Sequence, residues 1–516
     1  MRSQTSRREF LKLLGLLSLV HVYDKQPNFI EETSRRPQNQ GLPNVLILLF
    51  DTLSAKHMSV YGYKRETTPH LARFAERATV YHAHYAGGNF TAPGTASLLT
   101  GSYPWSHRAL SLWSTTSESY NRRNLFTLAG EAYNRIVYTH NWVANMVLYQ
   151  FREDVDVYID PREFYLLDAY PGPTFANDAD IARRGRHLLL HSYFGPKRKK
   201  IAGSLFFSLV NRIRIDAYNE YASMREYANL YPRGLPQVMK SDFLLEHAID
   251  GLQDVVSHSR QPFLAYFHLM PPHRPYNPRR EFIGRFNDEW APVAKKPHFF
   301  SEGRSDRFIN RKRLQYDEYI AHTDSELGRL YDFMAQAGLL HNTYVVLTSD
   351  HGEMFERGIL AHITPVLYEP LIHIPLLISK PGQRQREDVY TPTSCVDLLP
   401  TLLHVAGRTI PDWCEGQALP TFGNQAADGE RSIFAVEAKE NPKHAPLTKG
   451  TIALIKGRYK LIHYFGYDGY ENEYELYDLV NDPQEIENLY RSRKSIATDL
   501  RRELRKKRRK VNQPYY

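Results

Sequence analysis

Three long apolar runs limit the folds that are open to this chain. They are Asn44–Phe50, Pro262–His268 and Thr343–Thr348. Runs without regular polar alternation are typical of strands that are buried on both faces of a parallel sheet. Such strands need helices on both sides of the sheet. We therefore predict an α/β fold with a large mixed, mostly parallel sheet flanked by helices.

The residues after two of these runs are of the kinds that bind metal ions. Asp51 follows the first run, and Asp350 and His351 follow the third. Open α/β sheets bind ligands at the carboxyl ends of their strands, and carboxylates and imidazoles are common ligands of divalent ions. We expect these residues to share one ion, although Asp51 as a plain helix cap is the alternative. His273, stiffened by flanking prolines, and His362 lie in loops after strands.

A second feature is the helix predicted to begin near Thr91. Pro93 near its start and Gly101 past its end frame about two and a half turns. Thr91 then lies at or next to the N-cap, where backbone N–H groups stabilise negative charge. Thr91 is therefore a candidate nucleophile or, alternatively, an ordinary cap. His140, after the strand predicted for Arg135–Thr139, faces either the site or the surface.

The length of 516 residues indicates one large domain and a smaller second one. Only Cys395 and Cys414 are present, which excludes a disulfide framework and a thiolate metal cluster. After Gly407 the apolar segments become short, as in an antiparallel sheet. The predicted parts are a signal and linker (1–40), a catalytic domain (41–410) with a variable insertion (150–245), a small C-terminal α+β subdomain (411–490) and a basic tail (491–516).

The amino terminus resembles an export signal. Ser6–Lys12 matches the twin-arginine pattern, and the short apolar run Leu13–Val20 follows it. We predict export to the periplasm or the cell exterior, with retention as a membrane anchor left open; a basic amphipathic helix is the alternative. The chain has two basic segments, Lys197–Lys200 and Arg501–Lys510, and export argues against a nucleic-acid partner for the second. A peripheral contact with an anionic membrane and a solvated surface both remain open for them.

Together, these motifs resemble the sulfatase family of the alkaline phosphatase superfamily. The resemblance runs from about Asn44 to about Leu489. Its landmarks, in the order of the family, are Asn44–Leu53, Thr91–Pro104, Pro272–Tyr276, Ser349–Glu353, Leu367–Glu369, Ile374–Leu376, Asp397–Thr401, Glu475–Leu479 and Asp482–Pro483. The resemblance implies the sulfatase fold and the hydrolysis of anionic esters.

The resemblance also implies roles for individual residues. One divalent ion, which is Mn²⁺, Ca²⁺, Mg²⁺ or Zn²⁺, would be held by Asp51, Thr91, Asp350 and His351. Thr91 would be the catalytic nucleophile. His273 and His362 would bind the anionic group of the substrate or protonate the leaving group. The predicted substrate-binding residues are His273, His140 and Thr95.

The nucleophile position departs from that of the family. Sulfatases of this family carry a cysteine or serine, converted to formylglycine, in a Cys/Ser-x-Pro-x-Arg motif. Here the segment Thr91–Thr95 keeps only the proline, and Thr95 replaces the arginine. Threonine is not converted, so no formylglycine is expected. An unmodified threonine instead resembles the phosphoethanolamine transferases, lipoteichoic acid synthases and nucleotide phosphodiesterases of the same superfamily, which attack phosphorus.

Of these branches, the first two use one ion and the phosphodiesterases use two. A second ion here would need Asp324, His273 and His362, whose spacing does not match well, so we favour one ion. Three functions follow. The first is an exported, metal-dependent hydrolase or transferase that acts on phosphate esters through Thr91. The second acts on sulfate esters without formylglycine. The third is an inactive module that binds anions or glycans, and the retained ligand residues count against it.

Overall fold

The protein is described by a computed structural model for residues 41–167, 227–238, 241–423, 429–471 and 473–516. The predicted signal and the basic run Lys197–Lys200 lie outside these residues. The described residues form two compact units: the small unit lies within residues 162–244, and the large unit consists of residues 41–161 and 245–516. Among the described residues, every helix is too short or too polar to cross a bilayer.

The strands and helices are numbered along the chain. The strands are β1 (Asn44–Phe50), β2 (Thr79–Tyr81), β3 (His84–Tyr85), β4 (Asn134–Thr139), β5 (Val157–Tyr158), β6 (Tyr165–Leu167), β7 (Gln237–Val238), β8 (Ser241–Phe243), β9 (Phe263–Leu269), β10 (Thr343–Thr348), β11 (Phe355–Glu356), β12 (Ile359–Leu360), β13 (Leu376–Ser379), β14 (Glu387–Val389), β15 (Thr393–Ser394), β16 (Ile433–Glu437), β17 (Gly450–Lys456), β18 (Tyr459–Phe465) and β19 (Tyr474–Asp478). The α-helices are α1 (Pro69–Ala75), α2 (Thr91–Thr100), α3 (Pro104–His107), α4 (Leu125–Ala129), α5 (Trp142–Gln150), α6 (Leu245–His258), α7 (Asp306–Gln336), α8 (Glu369–Ile372), α9 (Leu398–Val405) and α10 (Lys494–Asn512).

The large unit is built on a mixed, mostly parallel sheet, as predicted. Its strand order is β14-β2-β13-β10-β1-β9-β4-β5. Strand β13 runs antiparallel to both of its neighbours, and the other pairs are parallel. All residues of β1 and β9 are buried, which explains their continuous apolar sequences.

The register of the central strands aligns their carboxyl ends. Leu49 of β1 pairs with Thr348 on one side and with His268 on the other. Because the three strands are parallel and in step, the residues that follow them emerge at one edge of the sheet. Asp51 and Asp350 are therefore neighbours in space although they are far apart in sequence.

Helix α2 begins next to this edge. Phe90 is its N-cap, in an extended conformation, and Thr91 is its first helical residue. Gly101 ends the helix with a left-handed φ of 63°, as predicted. A side chain at Gly94 would bring its Cβ to 2.3 Å from the backbone oxygen of Asp350. Only glycine therefore allows the helix start to pack so closely on the loop after β10.

The sequence also predicts a strand over the apolar run Leu371–Ser379 and a short strand over Val80–Ala86, and both differ from the observed elements. The run Leu371–Ser379 is helix α8 followed by strand β13, because Pro370 favours the first turn of a helix and Pro375 cannot continue one. The segment predicted as one strand over Val80–Ala86 is divided between β2 and β3, which belong to different sheets.

The C-terminal region forms an antiparallel sheet in the order β16-β17-β18-β19. The segment predicted as a basic tail forms helix α10, which buries Ala497, Leu500 and Leu504 in the main hydrophobic core. In β18, the buried Lys460 Nζ lies 2.9 Å from Glu369 Oε1 and 2.5 Å from Glu485 Oε1. This ion-pair network ties the C-terminal sheet to helix α8.

The small unit has a sheet of its own. Its strands are antiparallel, in the order β6-β8-β7. Tyr231, Leu235 and Leu244 form a small apolar cluster beside it, together with Leu166 and Tyr227. These residues belong to the predicted variable insertion.

Candidate active site

Three potential metal ligands converge at the edge of the sheet. Asp51, Asp350 and His351 are buried, and one ligand atom from each lies within 4.8 Å of the other two. His351 Nε2 is 3.6 Å from Asp51 Oδ1 and 3.5 Å from Asp350 Oδ2. His351 Nδ1 is 2.9 Å from the backbone oxygen of Gly352, to which it can only donate. The lone pair of the ring therefore lies on Nε2, which faces the carboxylates.

The charges of this cluster are incompletely compensated. Burial raises the pKa of Asp350 well above its usual range, and the charge of Asp51 adds to the effect. Burial acts the same way on Asp51, but a hydrogen bond from His268 and nearby histidines outweigh it and hold that pKa low. Asp51 Oδ1 and Asp350 Oδ2 are buried, and neither has a hydrogen-bond partner among the residues that the structure describes. Two unpartnered carboxylate oxygens beside a neutral imidazole nitrogen form a donor set that fits a divalent cation.

The backbone beside Asp51 is held in an unfavourable conformation. Thr52 has a φ of 64°, which is rare for a β-branched residue. The Thr52 N–H donates to Asp350 Oδ1 over 3.3 Å, and the Tyr316 hydroxyl donates to the Thr52 carbonyl over 2.5 Å. The strain costs on the order of 1–3 kcal/mol, and these contacts maintain it. Strain of this kind is concentrated at functional sites.

Thr91 lies directly beside the cluster. Its Oγ1 is 3.5 Å from His351 Nε2, and the residue is 5% exposed. Because Thr91 is the first residue of α2, its own N–H and that of Ala92 have no partner within the helix, whereas Pro93 has no N–H and the Gly94 N–H donates to the Phe90 carbonyl over 3.1 Å. These groups and the helix dipole favour an anion at this position.

Two residues that we did not predict also reach the cluster. The Asn141 amide nitrogen donates to Asp51 Oδ2 and lies 3.4 Å from Thr91 Oγ1. His268 Nε2 lies 3.3 Å from Asp51 Oδ2 and 3.8 Å from Asp350 Oδ2. Both lie at or just after the carboxyl ends of parallel strands. That position was the signal that could have identified them.

The two predicted loop histidines lie together on one side of His351. The ring of His362 is 4.4 Å from that of His351 and 5.2 Å from that of His273. His362 Nδ1 is 2.7 Å from Glu353 Oε2, and Glu353 Oε1 accepts a hydrogen bond from Tyr276 over 2.9 Å. Burial lowers the pKa of His362 to about 4, so the ring is neutral at pH 7. Glu353 therefore fixes the orientation of a neutral imidazole.

The loop that carries His362 is fixed by Asn89, which precedes α2. The Asn89 amide donates to the carbonyls of His362 over 3.1 Å and Thr364 over 2.7 Å. Ala361 has a left-handed φ of 75°. The nucleophile candidate and the loop histidine are thus positioned by the same short segment of chain.

Three other residues that the sequence suggested for the site, Thr95, His140 and Asp324, have different surroundings. Thr95 is fully buried in helix α2, one turn after Thr91. His140 Nδ1 accepts the Met270 N–H over 3.5 Å. Substrate binding by these two residues stays a prediction. Asp324, considered for a second ion, instead accepts the N–H groups of His70 and Leu71 at the start of α1.

Comparisons with known proteins agree on one family. Residues 43–408 match the family described as Sulfatase, and residues 364–512 match the one described as N-sulphoglucosamine sulphohydrolase, C-terminal. The chain is 24% identical to a choline-sulfatase of Rhizobium meliloti, covering 87% of this chain and 82% of that one. It is also 24% identical to an N-acetylglucosamine-6-O-sulfatase of Bacteroides thetaiotaomicron, covering 92% and 86%.

A solved structure shows the same fold. The phosphonate monoester hydrolase of Agrobacterium radiobacter aligns with a TM-score of 0.63 at 18% identity, covering 91% of this chain and 96% of that one. The family match spans well over half of the chain and includes the strand ends that form the cluster. The chain therefore belongs to the sulfatase family of the alkaline phosphatase superfamily and is a hydrolase that acts on ester bonds.

Proposed function

We propose that the protein cleaves anionic phosphate esters through a covalent intermediate on Thr91, with one divalent ion held by Asp51, Asp350, His351 and Thr91. The observation that carries the proposal is the position of Thr91 Oγ1, 3.5 Å from His351 Nε2 at a helix N-terminus. A hydroxyl in that position can become an alkoxide, and the helix start can bind the oxygens of a tetrahedral anion.

The ion, when bound, supplies positive charge that lowers the pKa of a hydroxyl and neutralises an oxyanion. Two carboxylate oxygens and an imidazole nitrogen suit Mn²⁺ or Zn²⁺, while Ca²⁺ or Mg²⁺ would depend more on oxygen ligands. The unpartnered oxygens of Asp51 and Asp350 support one ion. Asp324, the carboxylate considered for a second ion, already caps α1.

The residues of the chain account for the proton transfers. Thr91 Oγ forms a bond to phosphorus while the bond from phosphorus to the leaving oxygen breaks. His362 takes the Thr91 proton at Nε2, since its Nδ1 faces Glu353, and returns it to the leaving oxygen. His273 is the second candidate for this transfer. Water or an acceptor alcohol then attacks the phospho-threonine, the bond from phosphorus to Thr91 Oγ breaks, and His362 passes the proton of the attacking oxygen to Thr91 Oγ.

A sulfate ester is the second candidate substrate. The relatives named choline-sulfatase and N-acetylglucosamine-6-O-sulfatase favour it. The unmodified Thr91 and a fold shared with a phosphonate monoester hydrolase favour phosphorus. In either case the substrate is an anionic ester. The twin-arginine pattern at Arg7 and Arg8 supports our proposal that the protein meets it outside the cytoplasm.

The test compares three variants on aryl phosphate, phosphonate monoester and aryl sulfate substrates. Thr91→Ala removes the nucleophile, and we expect turnover to fall by about 10³-fold or more. Thr91→Ser keeps a hydroxyl and should retain measurable activity. Thr100→Ala is the matched control, because its hydroxyl donates to Ala96 at the far end of the same helix. Unchanged turnover in Thr91→Ala would exclude the covalent mechanism, and the preferred substrate decides between phosphorus and sulfur.

A further inference from the structure

Asn141 begins helix α5 and cannot rotate its amide group freely. Its Oδ1 accepts the backbone N–H groups of Val143 over 2.7 Å and Ala144 over 3.3 Å. Only the oxygen of the amide can accept these bonds, so the NH₂ group must point the other way. The Asn141 N–H donates to Thr139 Oγ1 over 2.9 Å and fixes the backbone at the same point. The cap thus determines the direction of a buried donor.

That donor faces two residues of the proposed reaction. The NH₂ group donates to Asp51 Oδ2 and lies 3.4 Å from Thr91 Oγ1. Asp51 Oδ2 also lies 3.3 Å from His268 Nε2, so the unpartnered oxygen of Asp51 is Oδ1. Asp51 Oδ1 is the atom that faces His351 Nε2 at 3.6 Å. Asn141 therefore determines which carboxylate oxygen remains for an ion.

We infer that Asn141 is a positioning residue, which holds Asp51 for the ion and Thr91 Oγ1 for attack. The Thr91 part of the inference rests on the proposed function, and the Asp51 part does not. A hydrogen bond from Asn141 to Thr91 Oγ1 occupies one lone pair and restricts the hydroxyl to one side of the helix start. A fixed donor of this kind costs no reorganisation during the reaction. Hydrogen-bond donors that hold a metal-ligating carboxylate, without binding the ion themselves, also strengthen ion binding.

The chain contains a close structural counterpart of Asn141 outside the site. Asn124 caps helix α4 in the same way, with Oδ1 accepting from Phe126 N over 2.9 Å and Thr127 N over 3.0 Å. Its NH₂ group, however, donates to Asn121 O over 3.0 Å, to Thr127 Oγ1 over 2.9 Å and to Asp154 Oδ2 over 3.4 Å, all of them outside the cluster of Asp51, Asp350 and His351. A comparison of variants at the two asparagines therefore distinguishes the effect of changing a helix cap from the effect of losing the NH₂ donor at the site.

The experiment compares Asn141→Ser with Asn124→Ser. Serine keeps an oxygen that can cap the helix but lacks the NH₂ group. For Asn141→Ser we expect kcat to fall by about 10²-fold with KM changed by less than about threefold, since the residue acts on Thr91 rather than on the substrate. We expect the affinity of the ion-free protein for Mn²⁺, measured by calorimetry, to fall by about tenfold. Asn124→Ser should change neither quantity.

A second variant tests the donor without altering the size of the side chain. Asn141→Asp keeps the capping oxygen but places a carboxylate oxygen against Asp51, and we expect a larger loss of kcat than in Asn141→Ser. Equal losses in Asn141→Ser and Asn124→Ser, or no loss in either, would overturn the inference. If Thr91→Ala remains active, the proposed function fails. The Mn²⁺ titration then still decides whether Asn141 positions Asp51.

Discussion

The large unit contains two groups of side chains with nearly the same composition. Asp51, Asp350 and His351 form one group, and Glu246, His322 and Glu326 form the other. Each offers two carboxylates and one imidazole, with one ligand atom per residue within 4.8 Å of the others. Residue type and spacing alone do not distinguish them as metal sites.

The groups differ in how their charge is compensated. Arg279 lies 3.2 Å from Glu246 Oε1 and 3.4 Å from Glu326 Oε1, and Arg329 lies 2.7 Å from Glu326 Oε2. Within the described part of the chain, no lysine or arginine forms an ion pair with Asp51 or Asp350. The second group is therefore an ion-pair network, in which a metal ion would meet two guanidinium groups. Uncompensated buried charge, rather than composition, indicates a metal site.

Replacing an acidic residue by its amide should have opposite results in the two groups. Asp350→Asn should abolish both divalent-ion binding and turnover, because it removes a ligand whose oxygen has no other partner. Glu326→Gln should leave both unchanged, with at most a loss of stability from its broken ion pairs. Metal content after purification and turnover of the same aryl esters measure the difference. An Asp350→Asn variant that keeps its ion would disprove the assignment.

The pH dependence of ion binding should also distinguish the Asp51 group from the Glu246 group. Burial and the charge of Asp51 raise the pKa of Asp350, so in the ion-free protein its carboxyl group holds a proton to a higher pH than an ordinary aspartate does. Ion binding must release that proton, so affinity should rise with pH, by about tenfold per unit, up to the raised pKa. Mn²⁺ titrations at several pH values, in buffers of different ionisation enthalpy, measure the release. An affinity that does not change with pH would contradict this charge distribution.

The smallest expected effect comes from removing an arginine that compensates the charge of the second group. Arg279→Ala removes one cation from Glu246 and Glu326, and we expect a loss of about 1–2 kcal/mol in the free energy of unfolding. Added Mn²⁺ or Zn²⁺ should stabilise the variant more than the wild type, since both proteins take an ion at Asp51, Asp350 and His351 but only the variant has the uncovered second group. Urea unfolding with and without the ion measures both. Equal responses of variant and wild type would show that the arginine does not exclude ions.

Much of the fold could be predicted from the sequence, because it follows from patterns among residues that are close together along the chain. The apolar runs predicted β1, β9 and β10 because strands buried on both faces have no polar side to interrupt them. Asp51, Asp350 and His351 could be proposed together because parallel strands end at one edge of a sheet. The prediction of a strand over Leu371–Ser379 was partly wrong, since apolar residues also suit the short buried helix α8, which has Pro370 in its first turn.

The supporting residues could not be predicted in the same way. Asn141 acts through the direction of its amide, which is set by a helix cap and by contacts with two distant segments. His268 reaches Asp51 only because β1 and β9 pair in one register. Glu353 contacts His362 only because the loop between the two residues folds back on itself. Such roles depend on tertiary contacts, which a single sequence does not encode locally.

The most direct test of the central claim is the mass of the protein during turnover. The wild type is loaded with Mn²⁺, mixed with an aryl phosphate or an aryl sulfate, quenched in acid and mapped by peptide mass spectrometry. Our account predicts a phosphoryl-sized increase on the peptide that contains Thr91, which is absent from Thr91→Ala. A sulfuryl-sized increase at Thr91 would keep the nucleophile and change the substrate to a sulfate ester. Turnover without any adduct on Thr91, or with an adduct on another residue, would contradict the account.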